Sequence, residues 1–500
     1  MNRSLRMKGP VYIGSRLETF IDDWIIDRMQ GATRVIHRPS PQNVALVFDE
    51  PWEGNTSGVV TVFQDADLYR MYYRGSHTDY TEDEVTSYNP DNDHDQVVCY
   101  AESKDGINWY KPSLGLVEFN GSSDNNIIWD GPGSYTFAPF KDTNPDCLPD
   151  QLYKAIGIGV HKQGLSSFKS QDGINWSLSS SGPIITDGTF DSQNLAFWDP
   201  VVGAYREYHR DFYPGTNSLG NLPGRDIKTA TSSDFYQWPE PIWLNYSPGR
   251  IGELYTSQIV PYYRAPHIYL GFPTRYTDRG WSESTKSLPQ LDYRRIRASH
   301  SEREGTAITD GMLMSSRDGI NFDIWPEAFL RPGLKKVGNW FYGDNYQNHG
   351  LIQTESLVEG SPEEISIFVS EFSHQSDYTA KLRRYTLRID GFVSVQSNLA
   401  GGELITRPMI FEGNNLEINF SGSAGSSIRV EIQNSLGYAV PEFSMDKCEE
   451  IFGDDLKRIV SWRSDSSLAS LNGIPVRLRI ELKDADLYSF KFTKDKVHDI

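Results

Sequence analysis

The chain has 500 residues, 38% of them hydrophobic and 13% aromatic, with 42 glycines, 27 prolines and a formal charge of −19. That length holds more than one domain and a core able to stand without staples, and three dispersed cysteines, Cys99, Cys147 and Cys448, give no disulfide framework. The negative balance repels nucleic-acid phosphates and anionic membranes, and no stretch is long and apolar enough to span a bilayer as a helix.

The first ten residues are basic but lack the apolar centre of a signal peptide. A soluble protein is expected, cytoplasmic as the sequence stands, periplasmic or secreted if a leader has been removed; the oligomeric state is not legible. Further along, short strand-like runs come in groups. Five runs of alternating aromatic and polar residues, Tyr69 to Tyr73, Tyr153 to Ile158, Tyr205 to His209, His267 to Phe272 and Ile365 to Val369, read as half-buried strands of period two. Each follows another short apolar strand, starting at Val59, Tyr135, Asn194, Ser257 and Gly350. Each also precedes a third strand, and four of these end in one turn phrase: Ser103 to Trp109, Ser170 to Trp176, the degraded Ser232 to Trp238, and Ser316 to Phe322. In that phrase a polar side chain closes the turn on its own backbone, and in three copies glycine takes the positive φ. Trp109, Trp176 and Trp238 are expected to pack between neighbouring sheets.

A supersecondary unit repeated five times predicts an all-β chain with a five-bladed β-propeller over residues 15–398. The rhythm changes near Ala400. Strands over Leu404 to Ile410, Leu416 to Phe420, Ser427 to Gln433, Ile459 to Trp462, Val476 to Lys483 and Leu487 to Phe492 predict a β-sandwich over 401–495. Its turn signals include Gly422 to Gly425, and Glu481 to Phe490 reads as a final hairpin.

Five phrases carry a family resemblance: Phe20 to Trp24, Phe140 to Pro145, Phe190 to Asn194, Arg264 to Pro273 and the terminal segment. With the propeller-plus-sandwich order, the chain resembles the glycoside hydrolases of families 32, 43, 62, 68 and 117, nearest a little-characterised bacterial glycosyl-hydrolase-like group. The resemblance implies polysaccharide degradation by a pair of carboxylates in the propeller cavity. The invertase signature Asn-Asp-Pro-Asn-Gly is missing, and Pro51-Trp52-Glu53-Gly54-Asn55 stands in the first blade, so site residues are sought by position.

Innermost propeller strands converge their entry loops on one pocket. The first blade offers Glu53, the second Lys141 and Asp142, the third Asp191 with Ser192, Gln193 and Asn194, the fourth Glu253, Tyr255 and Gln258, the fifth Tyr342, Asp344 and His349. Cleaving a glycosidic bond takes one carboxylic acid to protonate the leaving oxygen and one carboxylate to act as nucleophile or base. Asp191 is the first candidate for the carboxylate, with an Asx-turn cap as its structural alternative. Glu253, under apolar cover from Leu254 and Tyr255, is the candidate acid, with a plain surface glutamate as its alternative; Glu53 and Asp344 compete for either role. Arg210, Arg264, Arg275 and Arg279, with Tyr255, Tyr262 and Tyr276, offer paired hydrogen bonds to an anionic sugar or to phosphate, or else tie blade edges together.

No cofactor is expected. Asp91 to Asp95 has oxygen ligands at calcium-like spacing, the one place for a structural calcium, but without the rest of an EF-hand it reads first as a solvated loop. Zinc-type groupings, phosphate-binding glycine loops and a Gly-x-Ser-x-Gly elbow are missing. Three functions survive: a glycoside hydrolase, a phosphorylase or transglycosidase on the same scaffold, and a non-catalytic carbohydrate-binding propeller. The turn phrase is one residue short of a sialidase Asp-box, which leaves a sialidase a distant option.

Overall fold

The computed structural model describes residues 9–81, 85–86, 96–159, 163–215, 224–375, 378–464 and 466–494. The chain divides into two compact units, 39–386 and 1–38 with 387–500. The first is a succession of antiparallel sheets. Sheet one comprises Gly58–Asp65, Leu68–Gly75, Val97–Ser103 and Ile127–Trp129. Sheet two follows with Ala138–Lys141, Tyr153–Ile158, Leu165–Ser170 and Ser177–Leu178, and sheet three with Leu195–Asp199, Ala204–Phe212, Arg225–Ser232 and Ile242–Trp243. Sheet four is built on Ile259–Tyr262, Ala265–Gly271, Met314–Ser316 and Asn321–Ile324, with Asn245–Ser247 added in parallel at its edge. Sheet five joins Ile352–Thr354, Glu364–Glu371 and Lys381–Arg388 to Ser40–Val47 from the other end of the unit.

The first strands meet. Gly58–Asp65 touches both Ala138–Lys141 and Ile352–Thr354, and Ala138–Lys141 touches Leu195–Asp199. Side chains tie the same strands across: Gln193 donates to the Val60 carbonyl at 3.1 Å and Thr61 Oγ1 at 2.9 Å, and accepts from Gln258 at 2.7 Å. With a sheet on either side, Tyr153–Ile158 is buried at every position, and so are residues 205–209, where the sequence pattern predicted half-buried strands.

The turn phrase is where one sheet grips the preceding one. In sheet two, Ser170 Oγ accepts from the Gly173 amide at 2.9 Å and Asp172 Oδ1 accepts from the amides of Ile174 and Asn175 at 2.9 and 2.8 Å, and the other three copies repeat the pattern. The residue after the aspartate sits at φ +70° to +78°, a region glycine reaches freely and Phe235 occupies in the degraded copy. The absent side chain makes room for a tyrosine: Tyr72 of sheet one donates to the Gly173 carbonyl at 3.0 Å, and Tyr208 of sheet three to that of Gly319 at 2.8 Å. Trp176 stands edge-on to Tyr72 and Phe137, Trp109 of sheet one edge-on to Phe368 of sheet five, and Phe235 packs on Phe140 of sheet two.

A second tie repeats beside it. At the end of a first strand an aspartate pairs with a base on the second strand and accepts from a tyrosine of the next sheet: Asp65 with Arg70 and Tyr153, Asp142 with Lys154 and Tyr205, Asp199 with Arg206 and Tyr269. Burial makes these groups depend on one another, because each would be costly alone.

Three short helices, Glu283–Lys286, Leu291–His300 and Glu302–Thr306, interrupt the expected all-β run. They join two strands of a small sheet, Thr274–Asp278 and Ala307–Gly311, whose third strand is Glu253–Leu254. Arg294 and Arg297 are wholly buried there; Arg294 donates to the carbonyls of Pro289, Gly305 and Trp340, and Arg297 to Glu304.

The second unit is one hydrogen-bonded sheet of ten strands. Its spine is Val476–Thr493, paired along one edge with Asn415–Asn434 and along the other with Gly402–Thr406, Val393–Ser397 and Glu18–Thr19. Two expectations change. Glu481 to Phe490 is part of that single 18-residue strand and not a hairpin, and Gly422 to Gly425 is an irregularity inside a 20-residue strand and not a turn. The boundaries also differ from 15–398 and 401–495, because Val11–Gly14, Ile26–Gln30 and Ala32–Ile36 pair with strands between Val393 and Phe411. Ile13, Phe20 and Ile25 share a core with Val430, Leu478 and Phe492.

Truncating Trp176 to Ala removes a buried aromatic from the joint between sheets one and two and should cost about 3–5 kcal/mol in urea unfolding. Lys154→Ala leaves the fully buried Asp142 carboxylate without its ion pair, an expected loss of about 3–5 kcal/mol by the same measurement. Partial burial would raise the Asp172 carboxyl, yet its backbone and Asn175 donors bring it down to about 2. That contribution is complete above the unfolded value of 3.8 and lost as pH falls through about 2, so Asp172→Asn should flatten the melting-temperature profile in that window.

Candidate active site

The loops entering the first strands bring Asp191 into a cluster of tyrosines and arginines. Asp191 precedes Leu195–Asp199 and is partly exposed; Tyr135 donates its hydroxyl to Oδ1, and no described residue donates to Oδ2. The Asn194 side chain holds that loop by donating to the carbonyls of Phe190 and Ser192 at 3.0 and 2.8 Å. Burial pushes the Tyr135 hydroxyl well up, so it stays a proton donor to the aspartate. Arg74 backs the tyrosine, its guanidinium 4.9 Å from the ring and its Nη1 3.3 Å from the Tyr135 carbonyl.

Tyr255 is the hub. Its hydroxyl accepts from that of Tyr342 at 2.8 Å, its ring packs near Tyr276, Tyr342 and Tyr346, and burial, the Tyr342 hydroxyl and the Asp191 charge raise its pKa far above the usual phenol. Arg210 and Arg225 stand 5.2 and 5.3 Å from the same ring. Arg225 donates to Glu253 Oε2 at 2.7 Å, and its own amide adds a bond of 3.2 Å, while Glu253 Oε1 has no described donor. Arg303, from the helical segment, lies 5.3 Å from the Tyr342 ring. Burial first, then Arg297, Arg74 and Arg303, hold His374 neutral, its pKa far below the ordinary imidazole value.

The other candidates make no described bond to Asp191 or Glu253. Glu53 is sealed in sheet one: Tyr73 donates to Oε1 at 2.6 Å and Lys111 to Oε2 at 2.6 Å, while burial pushes its pKa up against the pull of Lys111. Asp344 is buried, its Oδ1 accepting from the Ser373 amide at 2.8 Å, and desolvation raises its carboxyl well above the usual range. Lys141 ends its strand and Asp142 follows it, neither at the strand's entry; Lys141 pairs with Asp65, and Asp142 belongs to the intersheet tie with Lys154 and Tyr205. Arg275 makes a two-pronged bond to Asp310 directly across the small sheet, at 2.9 and 2.6 Å. Arg264 sits in the turn after Ile259–Tyr262, and Arg279 is exposed.

Gln193, Gln258 and His349 line the seam of first strands. Desolvation lowers His349 to about 4, so it is neutral there. Of the residues chosen by position, the structure brings together Asp191, Glu253, Tyr255, Tyr342 and Arg210, and beside them stand Tyr135, Arg74, Arg225, Arg303 and His374, which position did not single out. Arg225 had a readable signal, since it opens a third strand beside the second-strand Arg210.

Among the described residues no group of acidic, histidine or cysteine side chains is arranged to hold a metal ion. The calcium-like Asp91 to Asp95 lies outside the described residues. No described helix is long and apolar enough to cross a membrane.

The chain is similar to several solved structures. One is a glycoside hydrolase family 43 arabinoxylan arabinofuranohydrolase from Bacillus subtilis in complex with cellotetraose, at 11% identity and a TM-score of 0.41, covering 89% of this chain and 97% of that one. Another is the catalytic domain of a GH62 alpha-L-arabinofuranosidase from Coprinopsis cinerea, at 9% identity and 0.40, covering 70% and 97%. A third is a fructofuranosidase from Schwanniomyces occidentalis complexed with fructosylnystose, at 10% identity and 0.37, covering 90% and 98%. No protein-family model and no curated protein matches the chain.

Proposed function

We propose that the 39–386 unit is a five-bladed β-propeller and that the chain is a glycoside hydrolase acting at Asp191. The meeting first strands, the turn-phrase grip of each sheet on its predecessor and the supply of a fifth-sheet strand by Ser40–Val47 support the five-blade reading. The second unit is then an accessory domain. One observation carries the function: a partly exposed aspartate, oriented by a tyrosine hydroxyl at the mouth of a first strand, within a bed of aromatic rings suited to the apolar faces of a sugar.

In this reading Asp191 is the carboxylate. The Tyr135 hydroxyl orients it by donating to Oδ1, and Oδ2 faces the reacting carbon or the attacking water. Glu253 is the second carboxyl group, with Oε1 available to carry the proton for the leaving oxygen. Glu53 and Asp344 support the wall, since neither has the exposure that contact with a sugar requires. The arginines also suit phosphate, so phosphorolysis stands as the second reading.

The test is turnover on aryl glycosides of pentoses, hexoses and uronic acids, with and without inorganic phosphate. Asp191→Asn should lose about 100-fold to 10,000-fold in kcat on whichever glycoside the wild type cleaves, with its melting temperature unchanged. Near-wild-type turnover would remove Asp191 from the chemistry, and cleavage that requires phosphate would make the enzyme a phosphorylase.

A further inference from the structure

Arg210 and Arg225 lie diagonally across adjacent strands of sheet three, two positions out of register, where Arg210 faces Ile227 and Arg225 faces Phe212. Both guanidiniums lie against the same two rings. Arg210 is 5.2 Å from Tyr255 and 5.4 Å from Phe212; Arg225 is 5.3 Å from Tyr255, 5.5 Å from Phe212 and 4.3 Å from Tyr276. Two like charges on one aromatic platform repel, and Glu253 beside Arg225 is the single carboxylate paired with them among the described residues. Arg210 donates through Nε to the Thr189 carbonyl at 3.1 Å, and its two Nη groups donate to no described residue; the Nε of Arg225 has no acceptor. Phe212 at the platform's edge is 44% exposed and Arg225 and Glu253 are partly exposed, while Arg210 and Tyr255 lie deeper.

The surroundings add to the positive field. Arg74 donates only to the carbonyls of Tyr135 and Thr56, and Arg303 shares Glu304 with Arg297. Arg74, Arg210, Arg225 and Arg303 thus set positive charge around Asp191 and Glu253 in a chain whose overall charge is −19. A guanidinium packed near aromatic rings keeps its remaining N–H groups for a ligand, and a planar carboxylate accepts from such a group in two parallel bonds.

Resting on the glycoside hydrolase reading, we infer that Arg210 and Arg225 on the Tyr255–Phe212 platform seat the carboxylate of the substrate, so that the sugar bound beside Asp191 is a uronic acid. Glu253 then has two parts: it anchors Arg225 through Oε2, and its free Oε1 lies next to the sugar.

Calorimetric titration of the full-length protein tests this, with the methyl glycosides of glucuronate and galacturonate, those of glucose and galactose, and inorganic phosphate as separate probes. One uronide should bind at least about tenfold more tightly than its neutral counterpart. Arg210→Gln and Arg225→Gln should each abolish that preference, and Arg210→Lys, which keeps the charge but loses the fork, should weaken it; melting temperatures identify any variant that fails to fold. Equal affinity for uronide and neutral glycoside, no binding of either uronide, phosphate binding as tightly as the uronide, or a preference surviving in folded variants of both arginines would each overturn the inference. The two readings fail separately. A uronide preference with full turnover in Asp191→Asn sinks the hydrolase site and leaves the anion seat, while Asp191-dependent cleavage of neutral glycosides alone does the reverse.

Discussion

Neighbouring sheets of the 39–386 unit share few hydrogen bonds between their edges, so their spacing is set by side chains that cross the gap. The buried aspartate, base and tyrosine sets at Asp65, Asp142 and Asp199 do this, beside tyrosines reaching the carbonyls of the turn phrase. A carboxylate satisfied by partners from two sheets fixes both, because leaving any of the three groups unpaired in the interior costs several kcal/mol. Everything at the mouth of the first strands inherits that spacing. Asp191 comes from a loop between sheets two and three, Tyr135 from one between sheets one and two, and their contact exists only if sheets two and three stand at the right angle.

This division of labour explains which polar residues were misjudged. From sequence, an acid beside an innermost strand looks the same at either end of that strand. Asp142 follows its strand and is consumed by structure; Asp191 precedes its strand and keeps an oxygen free. The repeated phrase was legible because its chemistry is local, a serine and an aspartate bonding amides two or three residues away. Strand partnership was not. Nothing within residues 11–36 tells that they pair with strands beyond Val393, since the alternation is satisfied equally by any apolar partner. The helices were hidden for another reason: Leu291–His300 buries two arginines where an amphipathic helix would bury leucines, so no apolar stripe marks it.

The site itself is a case of local charge opposing global charge. The chain as a whole carries a formal charge of −19, while the arginines at Tyr255 and Tyr342 make the bed beneath Asp191 positive. Aromatic faces allow this, because a guanidinium stacked on a ring is stabilised without a carboxylate of its own and keeps its edge free for a ligand. Burial first, and the charges of Arg297, Arg74 and Arg303 after it, keep His374 neutral.

The strand Ser40–Val47 pairs with Lys381–Arg388, and the Arg383 guanidinium reaches the Gln42 carbonyl 341 positions away. A ribosome makes the early partner first and must finish nearly the whole unit before the late one exists. During that interval the early strand has a free edge and an apolar face with no mate, the kind of surface that chaperones cover and that pairs wrongly between nascent chains. The join is also the most non-local in the unit, so it carries the largest loop-closure entropy and is suited to form last. A break in the chain near either partner would therefore open the fold at this join, releasing the fifth sheet before the other four, none of which draws a strand from the opposite end of the unit.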